Sequence, residues 1–82
     1  MNKWATKIDI HRARVATNFV FARFGNHMGN VAKAAGVSRE TAKKWYKQGF
    51  ISQTSVQKLL DSPEVNNAIK KKDCRPDIES WN

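Results

Sequence analysis

The chain has little of several things, and each shortage narrows what it can be. It holds one cysteine, Cys74, so no internal disulfide can form. That scarcity fits a reducing cytosol. Cys74 reads as an ordinary free thiol near a tail, although one thiol can still bridge to another chain. The two histidines, His11 and His27, stand alone, and no His/Cys group has metal-ligand spacing. No metal and no cofactor are expected. No run approaches the ~20 apolar residues of a membrane helix, and Met1-Asn2-Lys3-Trp4 is not followed by the apolar stretch of a secretion signal. The expectation is a soluble, cytoplasmic protein with no membrane partner. Runs of alternating β-branched residues are also missing, which argues against strands. So are a glycine-rich phosphate loop and any nucleophile with a base at recognisable spacing. An enzyme, and a small-molecule substrate, are not expected.

Acidic residues are few as well. Seven Asp and Glu face fifteen Lys and Arg, a formal charge of +8 on 82 residues. Such an imbalance speaks about partners rather than fold. Nucleic acid is the polyanion it suits best. A membrane surface fits less well, because the most basic helix has no broad apolar face left over once the core is built. RNA fits less well too, since the chain lacks a sheet with stacking aromatics or a Gly-x-x-Gly loop.

What is present is helical periodicity with clear breaks. One domain is expected over 1–72, with 73–82 as a tail. A first helix is expected from about Ile8 to Phe24. Ile8, Val15, Phe19 and Ala22 share one face, and Ala16, Val20 and Phe24 widen it. Phe21 points about 200° away from Phe19, so it is either covered by another part of the chain or an exposed spot that pairs subunits. Gly25-Asn26 stops this helix. A second is expected from about His27 to Ala35, with Asn26 as N-cap and Val31, Ala32 and Ala35 as its apolar face. Gly29 inside it suggests close approach of a neighbouring helix or a phosphate.

Ser38 caps a third helix, about Arg39 to Lys47, ended by Gly49. Glu40 lies in its first turn, and Lys43, Lys44 and Lys47 lie in later turns, as the helix dipole favours. A fourth helix covers about Gln53 to Leu60, capped by Ser52 or Thr54, with Val56, Leu59 and Leu60 buried. Ser62-Pro63-Glu64 has the form of another helix start. It predicts a fifth helix to about Lys71 that buries Val65, Ala68 and Ile69. Asp73 to Asn82, with Pro76 and mixed charge, reads as a loose tail in which Ile78 and Trp81 are able to dock.

The stretch from Val31 to Gly49, "VAKAAGVSRETAKKWYKQG", carries the functional reading. Gly36 allows a tight turn between two helices crossing steeply, Ala32 allows close approach, and Val37 plugs the corner. Ala42 and Trp45 face inward. Ser38, Arg39, Glu40, Thr41, Lys43, Lys44 and Lys47 are then left outside, as on a recognition helix in a major groove. Arg39 is suited to a bidentate fork on guanine N7 and O6. Glu40 is suited to accept from cytosine N4, or to help the helix start. Thr41 suits a thymine methyl or a phosphate, and the lysines suit phosphates or purine acceptors. Asn26, His27 or Asn30 are placed to take a phosphate at the start of the second helix.

These residues, "VAKAAGVSRETAKKWYKQGFIS" and then "SVQKLL", resemble the phage repressor and Cro-type helix-turn-helix family over about His27 to Leu60. The resemblance implies an all-α, lambda-repressor-like bundle of four to five helices. It implies a regulator that binds operator DNA, often as a homodimer, and blocks promoters in phages, plasmids or bacteria. Ala32, Gly36 and Trp45 match the family's packing positions, and Ser38, Arg39, Glu40, Lys43 and Lys44 match the positions facing DNA. Ala42 stands where Val or Ile is commoner, and the early Gln of the family's second helix is missing.

Two other readings stay open. A phage excisionase carries a similar motif followed by a basic β-wing, whereas Gln53 to Leu60 reads as helix. A protein–protein module on the same fold, such as an antitoxin, would use Trp4, Phe21, Ile78 and Trp81.

Overall fold

Of the apolar stripe that periodicity suggests for the first helix, Ala16, Val20 and Phe24 are buried, but the Val15, Phe19 and Ala22 side is not. The computed structural model describes residues 7–81, and in it α1 spans Lys7–Arg23. Trp4 and the Ile8 side chain, two of the apolar groups noted above, lie outside what is described. The buried face of α1 is Ala13, Ala16, Thr17, Val20, Phe21 and Phe24, a spacing of three, four, seven and eight. Val15 is 53% exposed, Ala22 is exposed and Phe19 is half-buried. Thr17 decides the matter. It is fully buried, and its Oγ1 donates to the Gly49 carbonyl at 3.2 Å. Phe21, beside it on the same face, is fully buried with its ring 5.3 Å from that of Tyr46. The intrachain alternative for Phe21 therefore holds, and the Val15 side faces out.

Four further helices follow: α2 (Met28–Ala35), α3 (Arg39–Gln48), α4 (Gln53–Asp61) and the short α5 (Lys71–Cys74), then a 3₁₀ turn over Glu79–Trp81. The fold is all-helical, with no strand among the described residues. α1 packs on α3 and α5, α2 on α3 and α4, and α4 on α5. One core fills the middle, built from Val20, Phe21, Val31, Trp45, Ile51, Val56, Leu59, Leu60 and Val65. Burial of each such side chain is worth about 1.5–3 kcal/mol before ordering costs. After α3 the chain runs through Gly49 to Ser52 directly into α4, with no hairpin between them. Ser52 opens α4 without a side-chain cap bond. Its hydroxyl instead accepts the indole N–H of Trp45 at 3.1 Å, so a serine at a capping position serves the core.

The fifth helix expected from Pro63 to Lys71 does not form. Ser62 ends α4 instead of starting a helix, with its Oγ donating to the Leu59 carbonyl at 2.6 Å. Asn66 and Asn67 both adopt positive φ, 52° and 54°, which a right-handed helix cannot hold. The Asn67 N–H donates back to the Leu60 carbonyl at 2.8 Å, folding the segment under α4. Val65 is still fully buried and Ile69 packs on the core, but Ala68 is exposed.

The segment from Asp73 onward, read as a loose tail in which Ile78 and Trp81 are able to dock, folds back onto the bundle, and Trp81 does dock. Cys74 is fully buried, Pro76 is buried and Trp81 packs on the core. Arg75 holds this segment down. Its Nη1 donates to the Ile51 carbonyl at 2.9 Å, and its Nε and Nη2 fork onto Asp77 at 2.9 and 2.8 Å. The same guanidinium lies 5.1 Å from the Phe50 ring centroid. Asp77 is held below the usual carboxylate range, chiefly by those hydrogen bonds from Arg75.

Candidate nucleic-acid interface

The candidate site is built on α2, α3 and the turn between them. Gly25 and Asn26 take consecutive left-handed conformations, φ 69° and 58°, and this ends α1. An N-cap needs an extended backbone, which His27 has (φ −95°, ψ 109°) and Asn26 does not. The cap of α2 is therefore His27 rather than Asn26. Its Nδ1 accepts the Asn30 N–H at 3.3 Å, so Nε2 carries the proton of the neutral ring.

At the other end of α2, Gly36 sits at φ 73°, where a side chain would cost about 1–2 kcal/mol. The Val37 N–H closes the turn onto the Ala32 carbonyl at 2.9 Å. Ser38 then caps α3, its Oγ accepting the Thr41 N–H at 3.2 Å and lying 3.0 Å from Thr41 Oγ1. Ser38 and Thr41 thus hold each other and start the helix. Val31, Ala32 and Ala35 are buried against Ala42 and Trp45, which are 0% and 2% exposed. Small alanines at 32 and 42 let the two helices approach closely.

This packing turns the other side of α3 outward. Arg39, Glu40, Lys43, Lys44 and Lys47 are all exposed. Among the described residues none of these four cations takes part in an ion pair, unlike Arg12 with Asp73 and Arg75 with Asp77. Four unpaired cations and one carboxylate on ten residues make a face of high positive potential. Around it the structure gathers more of the candidate residues. Asn26, His27, Arg39 and Lys43 line one shallow cleft together with Met28 and Gly29. Gly29 has a reason to be there, since a Cβ on it would lie 3.1 Å from Arg39 Nη2 and 3.2 Å from His27 Cε1.

A second groove runs along α3 itself. Its basic rim is Lys43, Lys44 and Lys47, and its wall includes Met28, Tyr46 and Gln48. Tyr46 is 42% exposed, with the centroid of its ring 5.3 Å from that of Phe21. Met28, Gly29, Tyr46 and Gln48 were not singled out by sequence reasoning as site residues. Tyr46 lies three residues from Lys43, one turn along the same face, and that spacing is the signal available for it. The two groups with shifted titration, Cys74 and Asp77, lie on the C-terminal segment and not on α3. Among the described residues no three His, Cys, Asp or Glu side chains converge on a point. No helix there is long and apolar enough to cross a membrane. The chain matches no family model, no curated protein and no solved structure.

Proposed function

We propose that this protein is a sequence-specific double-stranded DNA-binding regulator whose α2–turn–α3 unit acts as a helix-turn-helix. The observation that carries this reading is the outward face of α3. Arg39, Lys43, Lys44 and Lys47 stand there unpaired on a helix whose opposite side, Ala42 and Trp45, anchors it rigidly in the core. A rigid cationic helix of this diameter suits a B-DNA major groove. In this reading the lysines neutralise phosphates, Arg39 reads a guanine edge, and His27 offers its Nε2–H to a phosphate at the start of α2. Repression follows by covering a promoter. No cofactor or effector is invoked.

The excisionase reading is the weaker one, because α3 runs on into α4 without the basic hairpin that such a protein would use. Selection of bound duplexes from a random library at near-physiological salt tests the proposal. An enriched motif read by α3 is the expected result, and its loss in Arg39→Ala ties the motif to that residue. Enriched direct repeats would favour the excisionase reading. Binding without enrichment, lost as salt rises, would leave only non-specific charge attraction and overturn the proposal.

A further inference from the structure

The basic face of α3 is not only basic. The groove along it, about 670 Å³, has Lys43, Lys44 and Lys47 on its rim and Met28 and Tyr46 in its wall. Most of its lining is apolar: the Met28 side chain, the Tyr46 ring and the methylene stems of the lysines. One side of the Tyr46 ring is backed by Phe21, which is fully buried, and the rest is open to solvent. The Tyr46 hydroxyl makes no hydrogen bond among the described residues. Met28 is half-buried and packs on the core. A fixed tyrosine beside an adaptable thioether is the pairing found where proteins hold other proteins.

Duplex DNA matches only part of this surface. Phosphates suit the three lysines but set nothing against the ring and the thioether. Of the groups on base edges in the major groove, the thymine methyl is the apolar one. A surface apolar inside and cationic at the rim is matched throughout by a polypeptide that carries carboxylates on either side of an apolar anchor. The charge balance favours the same choice. Three lysines outweigh the Glu40 carboxylate in the lining, on a chain of +8, so a basic segment is repelled. From Glu40 to Gln48 α3 rises about 12 Å, the length of about two turns of a helix laid alongside it.

We propose that this groove docks a short acidic amphipathic segment of a partner protein. Its apolar anchor rests on Tyr46 and Met28, and its carboxylates meet Lys43, Lys44 and Lys47. Those lysines are the ones assigned to phosphates, so partner and DNA exclude each other and the partner releases α3 from its site. The exclusion rests on reading α3 as the DNA-binding helix; the docking does not.

Selection from a displayed library of random peptides, about twelve residues long, on immobilised wild-type protein tests the docking. Enriched peptides should carry Asp or Glu flanking Leu, Phe or Trp. A selected peptide, made synthetically, should move the amide resonances of Met28 and of residues 43–47 in the wild-type protein. It should bind Tyr46→Gln and Met28→Gln at least about tenfold more weakly than wild type. Polyglutamate at equal carboxylate concentration should not displace it. Enrichment without that acidic and apolar pattern, resonances that move only elsewhere, variants that bind as tightly as wild type, or displacement by polyglutamate would each overturn the proposal. Release of a labelled duplex, one enriched by the DNA selection, tests the exclusion. The peptide should free the duplex over the concentration range in which it binds. A complex holding peptide and duplex together would overturn the exclusion. A Tyr46→Gln protein that loses more affinity for the duplex than for the peptide would give the ring to DNA and overturn the docking. Peptide bound in the groove of a protein that binds no duplex would overturn the reading of α3 and leave the docking standing.

Discussion

Gly29 and Arg39 share one space: a methyl group on the glycine would come within 3.1 Å of the arginine Nη2. Gly29→Ala therefore sets two effects against each other. Alanine gains about 1 kcal/mol of helix propensity over glycine. The guanidinium must then move a few tenths of an ångström, and so must the His27 ring that caps α2. Both groups are exposed and able to yield. The variant should melt no lower than wild type, with a net gain below about 1 kcal/mol. Its discrimination between preferred and scrambled DNA should fall, as measured by competition binding. A stability loss above about 1 kcal/mol would show that this corner is rigid.

Thr17 links α1 to the end of α3 through a single buried hydrogen bond. Thr17→Val keeps the shape and removes the donor, leaving the Gly49 carbonyl without that partner. The expected cost is about 1–2 kcal/mol. For a domain of this size that lowers the melting temperature by roughly 5–15 °C. Urea titration should show a lower midpoint with an unchanged slope.

Cys74 gives the fold a dependence on alkaline pH. Burial, with a smaller contribution from Asp73, pushes its thiol up to about 12. The unfolded thiol titrates near pH 8.5. A folded-state value above the unfolded one means the stabilisation is complete below about pH 8.5 and erodes as pH rises toward about 12. The stability lost between neutral pH and pH ~10 should be smaller in Cys74→Ala than in wild type, by denaturant titration at both pH values. A thiol reagent at mildly alkaline pH should label wild type only as fast as the C-terminal segment opens.

Arg39 and Lys44 sit on the same helix face but are assigned different work. Lys44→Ala should weaken binding to all sequences alike and shallow the slope of log K against log salt by about 1. Arg39→Ala should relax the base preference, costing about 1–3 kcal/mol at the preferred site and little elsewhere. An Arg39→Ala protein that selects the same motif as wild type would remove Arg39 from base readout.

The parts of the fold readable in the sequence are those whose signals are local. Ser38, Gly36 and Gly49 mark the ends of α2 and α3 by their own conformational needs, and both helices start and stop within a residue of where those signals put them. What failed depended either on partners distant in the chain or on left-handed residues that override a nearby signal. α1 has apolar residues on two sides, and only the Gly49 carbonyl and the Tyr46 ring select the side with Thr17 and Phe21. The Ser62-Pro63-Glu64 signal is sound locally but loses to Asn66 and Asn67, whose N–H groups turn back to Ser62 and Leu60. Asn26 was the better capping residue by type, yet Gly25 had already set the chain turning left-handed, and His27 inherited the cap. For the candidate site, the cationic row was visible as a spacing. The exposure of Tyr46 and the fit of Arg39 over Gly29 were not, because each is set by a neighbour on another element.

The Arg75 clamp bears on the order in which the molecule assembles. α2, α3 and α4 pack through residues close in sequence, and contacts of that kind form early and fast. α1 is different, since its ion pair to Asp73 spans 61 positions, and the loop that receives its Thr17 is pinned by Arg75. The seam between α1 and residues 71–77 therefore closes only with the C-terminal segment in place, whereas the seam of α1 with α3, through Thr17 and Phe21, does not need it.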